Sequence, residues 1–430
     1  MPNSPHRGPG FYGWYIVAAA FVVAVFGWGF GFYGPPVYLE AVRQARGWPI
    51  ALVSGAVTVH FLTGTGIIAG LPLLHRRFGL PAVTFAGAVL LAVGVLGWAL
   101  ARTPWQLYLA AVLSGAAWPT MGAAAVNAIV APWFVAKRPA ALSMAYNGAS
   151  IGGVVFSPLW VALIGRIGFP MAALVVGTGM IAVLGALAWL VLPRTPASMG
   201  QVPDGEDAGG PGQAPKAAAA LPAAPLARDR AFVTLSAGMA LALFAQIGLI
   251  AQLISLLAPT LGPDGAGLAA GLATAAAIVG RIAVGWAMPA GTDRRRVAVL
   301  SLLIQAVGCG VLMLAEATAP FLLLGAILVG LGIGNATSLP PLIAQVEFAP
   351  AEAPRVVALI VAISQGAYAF APAAFGLMRQ AGSDRAVFVV AIVIQVAAAG
   401  AYLAGIRAHT RRGGTPGPSS ATPPSAMRSL

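Results

Sequence analysis

Between Gly265 and Thr292 the only charged side chain is Arg281. A guanidinium stays protonated at any accessible pH. Setting one at the centre of an apolar helix costs roughly 2.5–3.5 kcal/mol on insertion scales. A residue retained against that cost faces a polar cavity or an anionic partner, and its planar fork fits a carboxylate in bidentate fashion. The competing explanation is a structural arginine that holds backbone carbonyls or helix ends. Arg281 precedes Asp293 by twelve residues, about 18 Å along a helix at 1.5 Å per residue, which sets it near mid-depth of its segment.

His60 is the second residue with chemistry to offer. With an unperturbed pKa of about 6.5 it could relay a proton near neutral pH. Equally, a neutral imidazole could hydrogen-bond between helices. Uncharged polar and aromatic residues also fall inside apolar segments, and Tyr33, Asn127, Asn147, Gln365 and Tyr368 are the candidates to line a cavity with Arg281. Each could instead bond a neighbouring helix, since polar groups facing lipid are costly. Tyr146, Gln246, Gln252 and Asn335 belong to the same set.

Gly148-Ala149-Ser150-Ile151-Gly152 spells the hydrolase nucleophile elbow. That motif needs a strand–turn–helix context and an acid-oriented histidine, and here it lies in an apolar helical run. A small-residue face for close helix contact is the better reading. Gly330, Gly332 and Gly334 follow no strand and precede Pro340-Pro341, so they read as a closely packed or bent helix. Cys309 is the single cysteine, which excludes a disulfide framework or a cysteine metal site. No cofactor and no metal are expected, and no catalytic set is visible, so the chain does not read as an enzyme.

The elements that must position these residues are apolar helices. Of the 430 residues 59% are hydrophobic and 8% charged, against about 25% charge in soluble chains. A membrane-crossing helix needs about 20 apolar residues, and charges, prolines and glycines divide the chain into twelve such segments. They lie near 11–39, 50–73, 80–101, 104–131, 139–165, 168–192, 231–260, 266–288, 297–317, 319–345, 356–378 and 386–406. The first run is too long for a signal-peptide core and is expected to be retained. The tightest junction falls at Thr318-Ala319-Pro320.

The net charge of +13 could indicate nucleic acid or a lipid surface as partner. The basic residues, however, sit between the apolar runs, so no nucleic-acid partner is expected. With the N-terminus cytoplasmic, seventeen of the 24 Lys and Arg fall inside and six outside, Arg281 completing the number. This satisfies the positive-inside rule with both termini cytoplasmic.

The stretch 193–230 is rich in Pro, Gly and Ala and reads as a flexible cytoplasmic linker. It separates an N-terminal six-helix bundle, 1–192, from a C-terminal one, 231–407, and 408–430 reads as a disordered cytoplasmic tail. A weak repeat relates the halves: His75-Arg76-Arg77 after the second segment, Asp293-Arg294-Arg295-Arg296 after the eighth. Repeated halves of this kind place substrate at the midplane between them.

The chain thus resembles the major facilitator superfamily over nearly its whole length. That family's loop motif is partly present as Gly280-Arg281, Gly285 and Asp293-Arg294-Arg295-Arg296. Its first copy keeps Arg76-Arg77-Phe78-Gly79 but has Arg76 where the family has an acid. By resemblance, Arg76, Arg77, Gly79, Lys137, Arg138, Asp293, Arg294 and Arg295 are gating and loop-motif residues. Within the superfamily, Tyr12-Gly13-Trp14-Tyr15 and Trp133-Phe134-Val135-Ala136-Lys137-Arg138, followed by Gly148 and Gly152, resemble the monocarboxylate transporters and oxalate:formate antiporters. Arg281 four residues before Gly285 matches that group's carboxylate anchor. Eukaryotic members carry an Asp one turn earlier, where this chain has Ala277, so their proton-coupling pair is absent.

These readings imply an all-α protein of twelve transmembrane helices in two pseudo-symmetric six-helix bundles, working by alternating access. The expected function is secondary transport of small organic anions, monocarboxylates foremost, by proton symport or by exchange. The expected partners are the anion, membrane lipid and a candidate co-transported proton. A monomer in a bacterial inner membrane is expected. The rivals are a proton-driven drug or metabolite exporter and, from another class, a transporter-like receptor or sensor.

Overall fold

The computed structural model describes residues 11–135, 137–204, 226–288, 292–315, 318–349 and 352–412. The central part of the expected linker, Glu316 and the expected tail from residue 413 lie outside the described residues.

The first crossing is built from two helices, α1 (Gly13–Gly31) and α2 (Gly34–Arg46). The break between them is local chemistry. Pro35 has no N–H to give to the carbonyl of Gly31 four residues earlier, and the backbone N–H of Tyr33 turns back to Trp28 at 2.8 Å. The carbonyls released here find other donors. His60 Nε2 lies 2.8 Å from the oxygen of Gly31, and Trp160 Nε1 donates to that of Gly29 at 3.3 Å.

Next come α3 (Ile50–Phe78) and α4 (Leu80–Leu100), joined at Gly79, whose φ of 80° ends one helix and starts the other. The fourth crossing is again broken, into α5 (Pro104–Ala117), a short turn at Trp118–Thr120, and α6 (Ala123–Val130). α7 (Arg138–Ile167) and α8 (Phe169–Leu190) complete the first bundle.

The second bundle opens with α9 (Arg230–Ala287), 58 residues long with Gly262 at φ 70°, ψ 169° between Pro259 and Pro263. At 1.5 Å per residue that length is about 87 Å, nearly three times a hydrocarbon core, so the glycine divides two crossings. After it run α10 (Arg294–Leu314), α11 (Ala319–Glu347), α12 (Ala353–Tyr368), α13 (Ala371–Ala381) and α14 (Asp384–Arg412). α12 and α13 together make one crossing. The tight junction before α11 is a turn in which the Thr318 amide donates to the Ala315 carbonyl at 2.7 Å. Among the described residues, eleven apolar helical stretches are long enough to cross a membrane. Counting the one split at Gly262 twice gives the twelve crossings and the two six-helix bundles.

The bundles meet at one end. There α3 lies against α13, and α2 and the far half of α7 lie against α9. Small residues allow the approach: a Cβ on Gly267 would stand 2.9 Å from Val161, and one on Gly271 would stand 3.3 Å from Pro158. Hydrogen bonds among side chains and backbone groups join the bundles at this end. Gln252 donates to Ser54 Oγ at 3.0 Å, the Ala51 amide to Gln380 at 3.2 Å, and the Ala373 amide to Thr58 Oγ1 at 3.0 Å. Behind them Arg379 reaches Ser255 and pairs with Asp384. Glu40, although buried, is fully engaged by Arg43 and Gln44 at 2.7–2.9 Å.

The hydrophobic core follows the same geometry. A large cluster runs through the first bundle and across the closed end. A separate one, with Phe232, Leu339, Ile343 and Tyr402, holds the other end of the second bundle. At that other end, where both described chain ends lie, the facing helices carry exposed residues such as Met144, Ile151, Val279 and Ile282. The interface between the bundles on that side is termed the cleft, and Ser54 and Gln252 lie at its closed end.

Candidate substrate site

Arg281 stands on the second crossing of α9, at the wall between the bundles. Its helix lies close to α11 because glycines alternate along the contact. Gly330 meets the backbone of Ala273, Gly280 meets that of Leu331, and Gly334 meets Ala277 and Arg281. A methyl group on Gly334 would stand 3.2 Å from both Cβ and Nε of Arg281. The glycine therefore gives the guanidinium its room.

Arg281 is half-buried, and its Nε is buried with no hydrogen-bond partner among the described residues. A buried donor left unpaired costs about 1–3 kcal/mol, more when it is charged. The neighbour within electrostatic reach is Tyr33 of the opposite bundle. The Tyr33 hydroxyl also reaches the Thr274 hydroxyl, two turns before Arg281 on the same helix. Tyr33 is presented there by the break at Pro35. Beyond it, towards the closed end, Tyr33, Pro36, Ser157, Thr274 and Ile333 bound a space of ≈ 20 Å³, enough for about one water.

The other candidates separate. Tyr368, on α12, meets Phe61 of the opposite bundle edge-to-face at 6.2 Å. Asn127 donates to Tyr146 at 2.5 Å and to the Ala123 carbonyl at 2.9 Å, so one of its hydrogen bonds binds a neighbouring helix while the side chain stays exposed. Asn147 is exposed and Gln365 half-buried; neither hydrogen-bonds another candidate.

His60 is buried inside the first bundle, with Nδ1 2.9 Å from Ser114 Oγ and Nε2 on the Gly31 carbonyl. A carbonyl can only accept, so Nε2 carries a proton. It pins the break that presents Tyr33. Gly148 and Gly152 face the backbone of α1 at Phe21 and Val25, an arrangement for helix contact rather than for a nucleophile.

The two loop-motif copies differ. Asp293 accepts from the Arg295 amide at 2.9 Å and so caps α10. Arg295 is 1% exposed and forms a bidentate pair with Glu347 at 2.6 and 2.7 Å. It also donates to Thr234 and to the Ala231 carbonyl. Arg294 donates to the Leu342 carbonyl at 2.6 Å. In the first copy Arg76 and Arg77 are exposed, and Gly79 serves the turn. Asp204 serves the next loop of that bundle: its carboxylate accepts from the amides of Val135 and Lys137 at 2.6 and 2.7 Å. Arg138 donates to the carbonyls of Phe134 and Ala131.

Sequence reasoning overlooked Thr274, the partners of Gln252 at the closed end (Ser54, Ser255 and Arg379), and the aromatic residues Trp28, Phe61 and Trp118. Thr274 had a signal, since seven residues before Arg281 is the same helix face. The others had none.

Two six-helix bundles in contact at one end of an interfacial cleft define a membrane transporter. A family model described as the Major Facilitator Superfamily matches residues 16–291, and the chain belongs to that superfamily. Among solved structures, a nucleoside transporter carrying an Asp-to-Ala change superposes with TM-score 0.71 at 14% identity, covering 91% of this chain and 99% of that one. A bacterial homologue of the human lysosomal transporter Spinster, solved inward-facing and occupied, gives 0.68 at 16% identity over 93% and 98%. These likenesses define the fold.

In sequence, a fujikurins efflux protein of Gibberella fujikuroi is 28% identical over 27% of this chain and 25% of its own length. An aspyridones efflux protein of Emericella nidulans is 33% identical over 32% and 27%. The chain thus matches about a quarter of the length of these two. An MFS transporter of Aspergillus flavus is 25% identical over 89% of this chain and 84% of that protein.

Proposed function

We propose that this transporter carries small organic anions, monocarboxylates foremost, by holding the carboxylate at Arg281 and exposing the cleft alternately to either side. The observation that carries the reading is the buried Nε of Arg281, without a protein acceptor among the described residues, facing Tyr33 across the bundle interface. An arriving carboxylate would supply the missing acceptor and offset the desolvation of the guanidinium, as charge-assisted bidentate bonds do. Tyr33 and Tyr368 would contact the substrate from opposite bundles, with Asn127, Asn147 and Gln365 further along the cleft. The motif resemblance to monocarboxylate transporters and oxalate:formate antiporters supports the same substrate class.

Exchange is the favoured mode of coupling. A fixed cation with no acid beside it disfavours the empty state, because the bare charge must then cross between the two exposures unneutralised. The buried acid at the closed end, Glu40, is already committed to Arg43, and His60 is committed to the helix break. A second reading, export of a metabolite anion, draws on relatives that are themselves named efflux proteins. The bacterial inner membrane, cytoplasmic termini, a monomeric state and the division at 192, 230 and 407 belong to this proposal.

A radiolabelled panel of lactate, pyruvate, formate, oxalate, acetate and aromatic acids in proteoliposomes tests it, with and without a pH gradient. Carboxylate counterflow that is lost in Arg281→Ala is expected. Carboxylate transport undiminished in that variant rejects Arg281 as the anchor. Uptake driven by an imposed proton gradient alone rejects exchange.

A further inference from the structure

We infer that the substrate of this site is an aromatic monocarboxylate, whose ring lies against a wall of aromatic side chains supplied almost wholly by the first bundle. The inference rests on the proposal that Arg281 holds a carboxylate, and it names the body that the carboxylate carries.

From Tyr33, beside Arg281, ring contacts continue without a gap. Phe32 meets Tyr33 at 5.0 Å and Phe61 at 5.9 Å. Phe61 meets Trp118 at 6.3 Å, Trp118 meets Trp28 at 6.2 Å, and Trp28 meets Tyr146 at 6.3 Å. Phe61 also meets Tyr368 of the second bundle at 6.2 Å. The wall has two layers. Phe61 and Trp118 are buried, whereas Trp28, Tyr33, Tyr146 and Tyr368 are half-buried.

The contacts Phe61–Trp118, Trp28–Trp118, Trp28–Tyr146 and Phe61–Tyr368 all lie at 84–86° between planes. An edge-to-face contact uses the edge of one ring and a single face of the other. The half-buried rings therefore retain uncovered ring surface, and aromatic ligands pack on such rings by offset stacking or edge contact. At the far end of the wall stands the polar pair Asn127 and Tyr146. The order along the cleft is thus a cation, a wall of rings and a neutral polar pair. A one-carbon or two-carbon acid would satisfy the cation and leave the wall uncovered. A ring-bearing monoanion covers both.

The break in the first crossing adds to this. It turns Phe32 and Tyr33 out of the α1 register and brings the wall up to Arg281. The N-terminal bundle thus offers mainly ring surface, and the C-terminal bundle the charge.

The test is counterflow of radiolabelled phenylacetate and of acetate in proteoliposomes of the full chain, with phenylacetamide as an uncharged competitor. The half-saturation concentration for phenylacetate is expected to be at least tenfold below that for acetate, and phenylacetamide should compete at least tenfold more weakly than phenylacetate. In Trp28→Leu and in Tyr146→Leu, scored on monodisperse protein, the phenylacetate-to-acetate preference should fall below threefold. Equal handling of the two acids, both lost in Arg281→Gln, overturns the aromatic wall and leaves the carboxylate reading standing. Phenylacetamide competing as well as phenylacetate, or Arg281→Gln without effect, overturns the carboxylate reading and the wall with it.

Discussion

The two bundles use one architecture for different work. Twelve residues before Asp293 of the second loop stands Arg281. Twelve residues before Arg76, its counterpart in the first loop, stands Gly64. Each position lies against a partner at short range. Gly334 leaves space for the guanidinium, and Gly64 leaves space for the indole of Trp118. Thus a glycine-eased contact serves a charge in one half and an aromatic ring in the other. The loops differ in the same sense. The second is locked by the buried Arg295–Glu347 pair, while the first has exposed arginines and relies on Asp204 to satisfy the neighbouring loop. Pseudo-symmetry sets where helices run, and it leaves each half free to carry its own chemistry.

The sharpest break of that comparison is Glu347→Gln. It strips the partner from an arginine that is 1% exposed, and uncompensated buried charge destabilises by about 3–5 kcal/mol. Thermal unfolding of the purified protein should show that loss, whereas Arg76→Ala with Arg77→Ala should stay within about 0.5 kcal/mol as exposed changes do. Equal effects would deny the difference between the loops.

Gly334→Ala should come next. The added methyl meets the Ala277 carbonyl oxygen first and presses on Arg281 behind it, and carboxylate half-saturation should rise about tenfold, roughly 1.4 kcal/mol. Gly64→Ala, pressing on Trp118 instead, should shift it by about threefold, near 0.6 kcal/mol on the same scale. A larger effect at Gly64 would reverse the assignment of charge and ring to the two halves.

Arg379→Ala removes the closed-end contacts to Ser255 and Asp384. With Cys309 as a buried background thiol, labelling of an introduced Val57→Cys by an impermeant maleimide should speed up about fivefold, about 1 kcal/mol of opening. Unchanged labelling would locate the seal elsewhere. The smallest expected effect is that of Asp204→Ala. Two amides lose an acceptor at a partly exposed site, for about 1 kcal/mol. It should appear in unfolding of the first bundle and not of the second.

How much of this was legible in the sequence follows from what each feature depends on. The twelve crossings were readable because length and apolarity are local properties; the boundary at Gly262 lay between Pro259 and Pro263, where the composition announced it. Arg281 stood out because a lone charge among apolar neighbours is a local anomaly. His60 stayed ambiguous, since its role depends on the Gly31 carbonyl released by Pro35 in another helix. Asn127 was read as cavity-lining, yet one of its hydrogen bonds goes to Tyr146 on a neighbouring helix. The closed-end seal was invisible for a related reason: Arg379 and Ser255 lie 124 residues apart, and nothing local in either stretch marks the other. Trp28, Phe61 and Trp118 look like ordinary apolar residues until two crossings and the turn within a third bring them into one wall.

The most direct test of the account is counterflow of labelled carboxylate by Arg281→Lys beside the unaltered chain, at matched amounts of folded protein. Lysine keeps the charge and loses the planar fork. If Arg281 is the bidentate anchor, the exchange rate should fall at least tenfold. A rate equal to that of the unaltered chain would contradict it.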